Sequence, residues 1–432
     1  MRQWFLTLEL IDSPILGVLC AIVVALAVVI AWPAPRHPWR WLIALVAGCV
    51  GGFLLAVVAE ALGAFDGPLP DHAALWIGAG SGFAVAGLVV AFTRPWWRGL
   101  LAVVMAVAAL MAAALGVNSS YGLTHTPAAV FGIQALDDLP LPALTTSTDD
   151  PATLYATWAA PADLPATGRV SALSGEDRIP AEGYSPRDAA LYLPPAALVA
   201  NPPRLPLIVF MMGQPGTPDP TSIAAALDRF AAAHNGLAPI AVVADQLGAI
   251  DRDPACHDSA TYGAVSTYFT TDIPAWAVAH LNVTADRSRW VIGGYSNGGS
   301  CAFAWGAQDP QIWGNVMDIS GNEYPGSEHV QQTIDEVFAG DAAAFQAASP
   351  SAALVARAGQ YAGHVAVFTH GDQDTVFGPG QVSNAALASD AGFTVFSDTI
   401  AGAGHGGEAL DGGLDFALDS LAPRLGLAPP AG

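Results

Sequence analysis

The sequence predicts an α/β fold with a mostly parallel sheet and helices on both faces, preceded by a four-helix transmembrane region. Three observations predict it. The 432-residue chain divides near residue 118 into an apolar part and an acidic part. The first part holds four long apolar runs. The second alternates short strand-like runs with helical ones, and several of the short runs are apolar throughout, as in strands covered on both faces.

Composition narrows the function classes. Apolar residues make up 53% of the chain and charged residues 12%, where an average soluble protein carries about 25% charge. This excludes intrinsic disorder and argues against a wholly soluble chain. All 15 basic residues are Arg, the acids number 37, and the net charge is −22. Residues 1–117 carry 5 Arg and 5 acids, so the remaining 10 Arg and 32 acids place the whole imbalance in residues 118–432. An acidic chain without basic patches is unsuited to nucleic acid. The 4 Cys show neither C-x-x-C nor zinc-type spacing, and no metal or cofactor is expected.

The four apolar runs are Pro14–Trp32, Trp41–Phe65, Ala73–Thr93 and Trp97–Val117. Each is near the ~20 residues that cross ~30 Å of hydrocarbon as a helix. Trp32, Trp39, Trp41, Trp96 and Trp97 lie at run ends, as in an interfacial belt. Gly48/Gly52 and Gly78/Gly82 have the spacing of close helix packing. Arg36, Arg40, Arg94 and Arg98 occupy the first and third connections, and Asp66 and Asp71 the second. Basic loops stay inside, so both termini face outward and the acidic domain is extracytoplasmic on a multi-pass cell-membrane protein. A cleaved signal peptide is the alternative for the first run, but its n-region sets one Arg against Glu9 and Asp12 and no good cleavage site follows. Glu60, the one acid inside a run, reads as structural.

Residues 118–165 read as an extracytoplasmic linker, dense in Pro, Asp, Thr and Ser over Asp137–Pro151, and residues 166–432 as the catalytic domain. Its strand candidates are Arg169–Leu173, Ala189–Leu193, Leu205–Met211, Ile240–Ala244, Trp290–Gly294, Asn315–Ile319, Val365–Thr369 and Thr394–Ser397. Its helix candidates are Thr221–His234, Ile273–Leu281, Ser300–Gln308, Ser349–Ala358, Gly380–Ser389 and Leu410–Leu425.

The chemistry concentrates at one turn. Gly294-Tyr295-Ser296-Asn297-Gly298 fits G-x-S-x-G, with a strand run before it and a helical run after it. That context is the one a nucleophile elbow requires, and it makes Ser296 the candidate nucleophile. A serine hydroxyl needs a base, and the expected chain order is Ser, acid, His. His405, in a Gly-rich loop after the last strand run, is the only His beyond residue 370. The acid belongs on the preceding strand-end loop, where Asp374 is the choice, Asp372 the close alternative and Asp318 a more distant one. Oxyanion donors are expected from the N–H groups of Asn297 and of Gln214, because Pro215 has no N–H. Gly402–Gly407 also fits G-x-G-x-x-G, but the 25 residues after it leave no room for a dinucleotide-binding unit. Cys256 and Cys301 are the only two Cys outside the apolar runs. They read either as a disulfide formed outside the cytoplasm or as a buried Cys301 thiol.

The segments LPLIVFMMGQPG, GGYSNGGSCAFAWG, THGDQDTVF and GAGHGG together resemble the α/β-hydrolase superfamily. Within it the chain is similar to the esterase family that includes esterase D-like enzymes and the antigen 85 mycolyltransferases. It is similar in particular to actinobacterial membrane-anchored members with several helices before the catalytic domain. The resemblance covers roughly residues 165–425. It implies Ser296 as nucleophile, Asp374 as acid, His405 as base and an acyl-enzyme intermediate. Met212 departs from the His common before the Gly of the oxyanion loop, and Asn297 from the Met that mycolyltransferases tend to carry after the Ser.

The expected function is a membrane-anchored serine esterase. Its partners would be an ester or acyl-donor small molecule, or an envelope lipid or glycolipid, and membrane lipid around the helices. One alternative is an acyltransferase passing the acyl group to a sugar or envelope hydroxyl. The other is a non-catalytic, membrane-tethered binding module of hydrolase shape serving a transporter or sensor. Gly321–Gln360 is expected to form an insertion over the site.

Overall fold

A computed structural model describes the chain except residues 1, 12, 32–37, 63–68, 71, 92–94, 134, 146–149, 251 and 431–432. Trp32, Arg36, Asp66, Asp71 and Arg94, which entered the belt and loop-charge readings, lie outside the described residues. The described chain forms two compact units. One is residues 1–130 with 405–407, the other residues 131–404 with 408–432.

The first unit is built on helices α1 (Ile15–Ala31), α2 (Pro38–Ala61), α3 (Ala73–Ala91) and α4 (Trp96–Tyr121). Among the described residues three stretches are long and apolar enough to cross a membrane, Trp39–Ala61, Ala73–Ala91 and Trp96–Tyr121, while α1 is 17 residues long. The small residues form the seam between α2 and α3. A Cβ on Gly48 would lie 2.8 Å from the Gly82 Cα, and one on Gly78 would lie 3.0 Å from the Cys49 carbonyl. Both glycine pairs of the sequence thus let two backbones approach. Val23, Ala27 and Ile30 of α1 pack on Ala102, Met105 and Ala109 of α4. Leu54, Leu55, Leu88, Leu100 and Leu110 face outward. The Glu60 carboxylate accepts from the Leu69 N–H at 3.0 Å.

The second unit is a single eight-stranded sheet in the order β1-β2-β4-β3-β5-β6-β7-β8. The strands are β1 (Arg169–Leu173), β2 (Ala189–Leu193), β3 (Leu207–Met211), β4 (Ile240–Val243), β5 (Trp290–Tyr295), β6 (Asn315–Ile319), β7 (Val365–Gly371) and β8 (Thr394–Ile400). Only β2 runs against its neighbours; every pairing from β4 through β8 is parallel. Strands β2 to β6 are buried at every position, and β2, β3 and β4 accordingly read as continuous apolar runs. Edge strand β8 is mostly exposed.

The described residues of 131–165 carry little regular structure, yet they are tied into this unit. Ala172 donates its N–H to the Asp137 carbonyl at 3.0 Å. Asn282 donates to the Ala143 carbonyl and accepts from the Thr145 N–H, at 3.0 and 2.8 Å. Trp158 donates its indole N–H to the Asn235 carbonyl at 3.0 Å.

One ion pair fixes the loops above the central strands. Asp245, just past β4 and 1% exposed, accepts from the Arg187 N–H, Nε and Nη2 at 2.8, 2.9 and 2.6 Å. It also accepts from the Leu247 and Gly248 N–H groups, both at 3.1 Å. Arg187 in turn donates Nη1 to the Gly216 carbonyl at 2.7 Å. The pair therefore joins the loop after β4 to the loop after β3. Asp245→Ala leaves the partly buried Arg187 guanidinium and the Leu247 and Gly248 N–H groups without their acceptor, and we expect it to destabilise the fold by about 2–3 kcal/mol. A urea unfolding midpoint unchanged from wild type would contradict that expectation.

Candidate active site

The elbow is set by strand β5 and helix α5, Asn297–Gln308, with Ser296 between them at φ 54°, ψ −123°. A non-glycine residue in this region is strained, and the strain is held by what surrounds it. The Ser296 N–H donates to the Ile319 carbonyl at 2.8 Å, and its carbonyl accepts from the Ser300 N–H at 3.1 Å. The motif glycines are required by packing. A Cβ on Gly294 would run into the Gly298 carbonyl carbon, and one on Gly298 would lie 2.5 Å from the Met211 carbonyl oxygen. The helix thus begins pressed onto the end of β3, and Ser296 is left 8% exposed.

The loop after β3 lies beside the serine. A Cβ on Gly213 would sit 3.1 Å from the Ser296 Cβ. This places the Met212–Gly216 segment, with Gln214, along the same edge as Asn297. Between them stands Gln246, buried in the loop just past β4. Its amide donates to the Met212 carbonyl at 2.6 Å and to the Asn297 Oδ1 at 3.0 Å. Asn297 donates Nδ2 to Asp253 Oδ1 at 3.1 Å. Burial pushes the Asp253 carboxyl above its usual range, while the Ala255 N–H, Asn297 and the nearby His329 pull it back.

Cys256 and Cys301 are joined by a disulfide, with Cα atoms 5.4 Å apart. It fastens the loop after β4 to the elbow helix. Trp305 donates to the Cys256 carbonyl at 3.0 Å on the same wall. The segment Gly321–Gln360 forms short helices at Val330–Glu336, Ala342–Ala347 and Pro350–Ala356. Its Val337, Phe338 and Phe345 pack on Ala255, and its Glu336 accepts from the Tyr262 hydroxyl. The segment therefore rests on the loop that carries Asp253 and Cys256.

The two loop aspartates differ. Asp374 is 3% exposed and accepts from the Phe377 N–H at 3.0 Å. Asp372 is exposed and accepts from the Gly402 N–H at 2.9 Å, while Gln373 donates its N–H to the Ala403 carbonyl at 2.9 Å. These bonds lash the acid loop to the start of the β8–α6 connection, where α6 is Gly407–Leu421. His405 lies in that connection and opens the three-residue stretch counted with the first unit.

Asp318, one residue before the end of β6, is fully buried against the first turn of α5. A Cβ on Gly299 or on Gly321 would meet its Oδ1. Burial pushes its carboxyl up to about 7; the Gln381 side chain and the Gly321 N–H oppose this without closing a full hydrogen bond. Among the described residues no cluster of His, Cys, Asp and Glu could hold a metal ion.

Sequence reasoning passed over Arg187, Asp245, Gln246 and Asp253. The available signal was the pair Asp245-Gln246 following the apolar run of β4. In parallel sheets the carboxyl ends of the strands are where ligands bind.

Strand order, parallel pairing and the serine elbow define an α/β-hydrolase, an enzyme of the carboxylic-ester hydrolase class. A family profile described as "Putative esterase" matches residues 184–417, and the chain belongs to that family. A Corynebacterium glutamicum protein named only as uncharacterized is 31% identical over 439 residues, covering 99% of this chain and all of that one. Among solved structures, an S-formylglutathione hydrolase from Agrobacterium tumefaciens is similar at 17% identity and TM-score 0.49, over 60% of this chain and 97% of that one. A ferulic acid esterase is similar at 16% identity and TM-score 0.46, over 60% and 98%.

Asp318 gives a pH prediction. Its folded-state carboxyl titrates above the unfolded value of 3.8, so the folded chain holds an extra proton between those values. Stability then falls as pH rises through this window. Asp318→Asn removes the penalty. We expect it to raise Tm, relative to wild type, more at about pH 8 than at about pH 5. An equal shift at both pH values would contradict the assignment.

Proposed function

We propose that the protein is a membrane-anchored, extracytoplasmic serine esterase that forms an acyl-enzyme on Ser296. The observation that carries this reading is Ser296 itself, held at positive φ on a strand–helix turn and flanked by Gly213. His405 takes the Ser296 proton as the hydroxyl attacks an ester carbonyl. Asp374 orients the imidazole and stabilises the imidazolium. The Asn297 and Gln214 N–H groups bind the oxyanion. His405 returns the proton to the leaving alkoxide, and water then releases the acid. Burial of Asp374 supports it as the acid, because Asp372 is exposed and engaged with Gly402. Three helices of spanning length support the anchor. The Cys256–Cys301 bond supports an oxidising compartment, and so the outward side. The substrate class is a carboxylic ester, taken from a small molecule or an envelope lipid at the membrane surface.

Hydrolysis of p-nitrophenyl butyrate by the full chain in detergent tests the roles. We expect Ser296→Ala and His405→Ala to lower kcat by about 10⁴-fold or more, and Asp374→Asn by about 10⁴-fold. We expect Asp372→Asn to stay within about tenfold of wild type, since a loop tie acts only through geometry. Turnover that survives Ser296→Ala would defeat the reading, and the reverse order of the two Asp variants would move the acid to Asp372.

A further inference from the structure

Resting on the serine-esterase reading, we propose that Gln246 is a positioning residue that clamps the two halves of the oxyanion hole together through the side chain of Asn297. The two proposed oxyanion donors belong to different parts of the chain. Asn297 N–H opens the elbow helix, and Gln214 N–H lies in the loop after β3. Nothing covalent sets their separation. Gln246 comes from a third place, the loop just past β4, and β4 lies on the far side of β3 from β5.

Its single amide group reaches both halves. One contact goes to the Met212 carbonyl at 2.6 Å, and the other to Asn297 Oδ1 at 3.0 Å. A peptide group is planar, so fixing the Met212 carbonyl also fixes the plane from which Gly213 and Gln214 continue. Asn297 is held from its other end as well, by Asp253 at 3.1 Å, and Asp253 is anchored by the Ala255 N–H at 2.8 Å, next to the disulfide at Cys256. The relay runs Met212 carbonyl, Gln246, Asn297, Asp253, Ala255. Gln246 and Asn297 are each 3% exposed, so water does not compete for these bonds.

The residue type follows from the demand. A primary amide supplies two donors to two oxygens. Glu at this position would set carboxylate oxygens against two acceptors, and an apolar residue would leave both unpaired. The residue after the nucleophile must likewise carry an acceptor for Gln246 and a donor for Asp253. Asn is the short side chain with both.

The test uses the full chain in detergent, with p-nitrophenyl acetate as substrate and a trifluoromethyl ketone as a probe of the tetrahedral adduct. The variants are Gln246→Met, similar in length but without a donor, and Asn297→Ala, which keeps the peptide N–H and removes only the side chain. A displacement of order 1 Å at a reacting group costs about 10²-fold. We expect each single variant to lose about 10- to 100-fold in kcat, with KM within about threefold. The trifluoromethyl ketone should weaken by a similar factor, because it needs the oxyanion donors that a purely structural change would leave in place. The double variant should be no worse than the poorer single, since both break one clamp. If Gln246→Met does not fold, Asn297→Ala carries the same readouts alone. The proposal is overturned if both variants keep kcat and ketone affinity within about twofold of wild type, or if their losses multiply in the double variant. Full turnover in Ser296→Ala overturns the serine-esterase reading and the clamp together; turnover lost in Ser296→Ala but kept in Gln246→Met and Asn297→Ala overturns the clamp alone.

Discussion

The backbone turn at Ser296 is the constraint on which the rest of this domain depends. A strand entering from a buried parallel sheet must reverse into a helix within one residue, and that residue takes φ 54°. The reversal brings the helix start onto the end of β3, so Gly298 faces the Met211 carbonyl and Gly294 faces Gly298. Any side chain at those positions would push the helix off the sheet. The register β3–β5–β6, in which Met211 pairs with Gly294 and Gly294 with Asp318, places the neighbouring strand ends at the same level. The strain costs of order 1–3 kcal/mol and persists only because these contacts over-determine it.

Loops around such a turn would wander without separate anchors, and the structure supplies them from outside the motif. Asp245 gathers five donors, and its partner Arg187 reaches across to Gly216. Two charges taken from water repay their desolvation only when the remaining hydrogen bonds are made, and here the carboxylate's are. The disulfide holds the next part of the same loop to the elbow helix. Gln246 and Asp253 therefore lie on a segment pinned at both ends, at Asp245 and at Cys256.

The sheet was largely legible from sequence because β2, β3, β4 and the first part of β7 are apolar runs set between polar segments. Arg169–Leu173, Ala189–Leu193 and Asn315–Ile319 fall on the residues expected, and the other strands differ by one to three residues at an end. The elbow helix starts at Asn297, where the sequence reading opened it at Ser300, because Gly298 and Gly299 look like a loop until packing requires them inside a helix. The links that organise the site were hidden for another reason. Arg187 and Asp245 are 58 residues apart, and Thr145 and Asn282 are 137 apart. Neither pair leaves a local pattern. A carboxylate at a strand end looks the same whether it caps a turn or gathers five donors. In the apolar unit, hydropathy marked the helices, whereas the facing of Gly48 and Gly82 required the structure.

The most direct test of the central claim is to treat the full chain in detergent with a fluorophosphonate and locate the adduct by peptide mass spectrometry. This account predicts one adduct, on Ser296, formed stoichiometrically and blocked by prior incubation with an ester that acylates the enzyme. An adduct on another serine, or a folded protein that takes up no label, would contradict it.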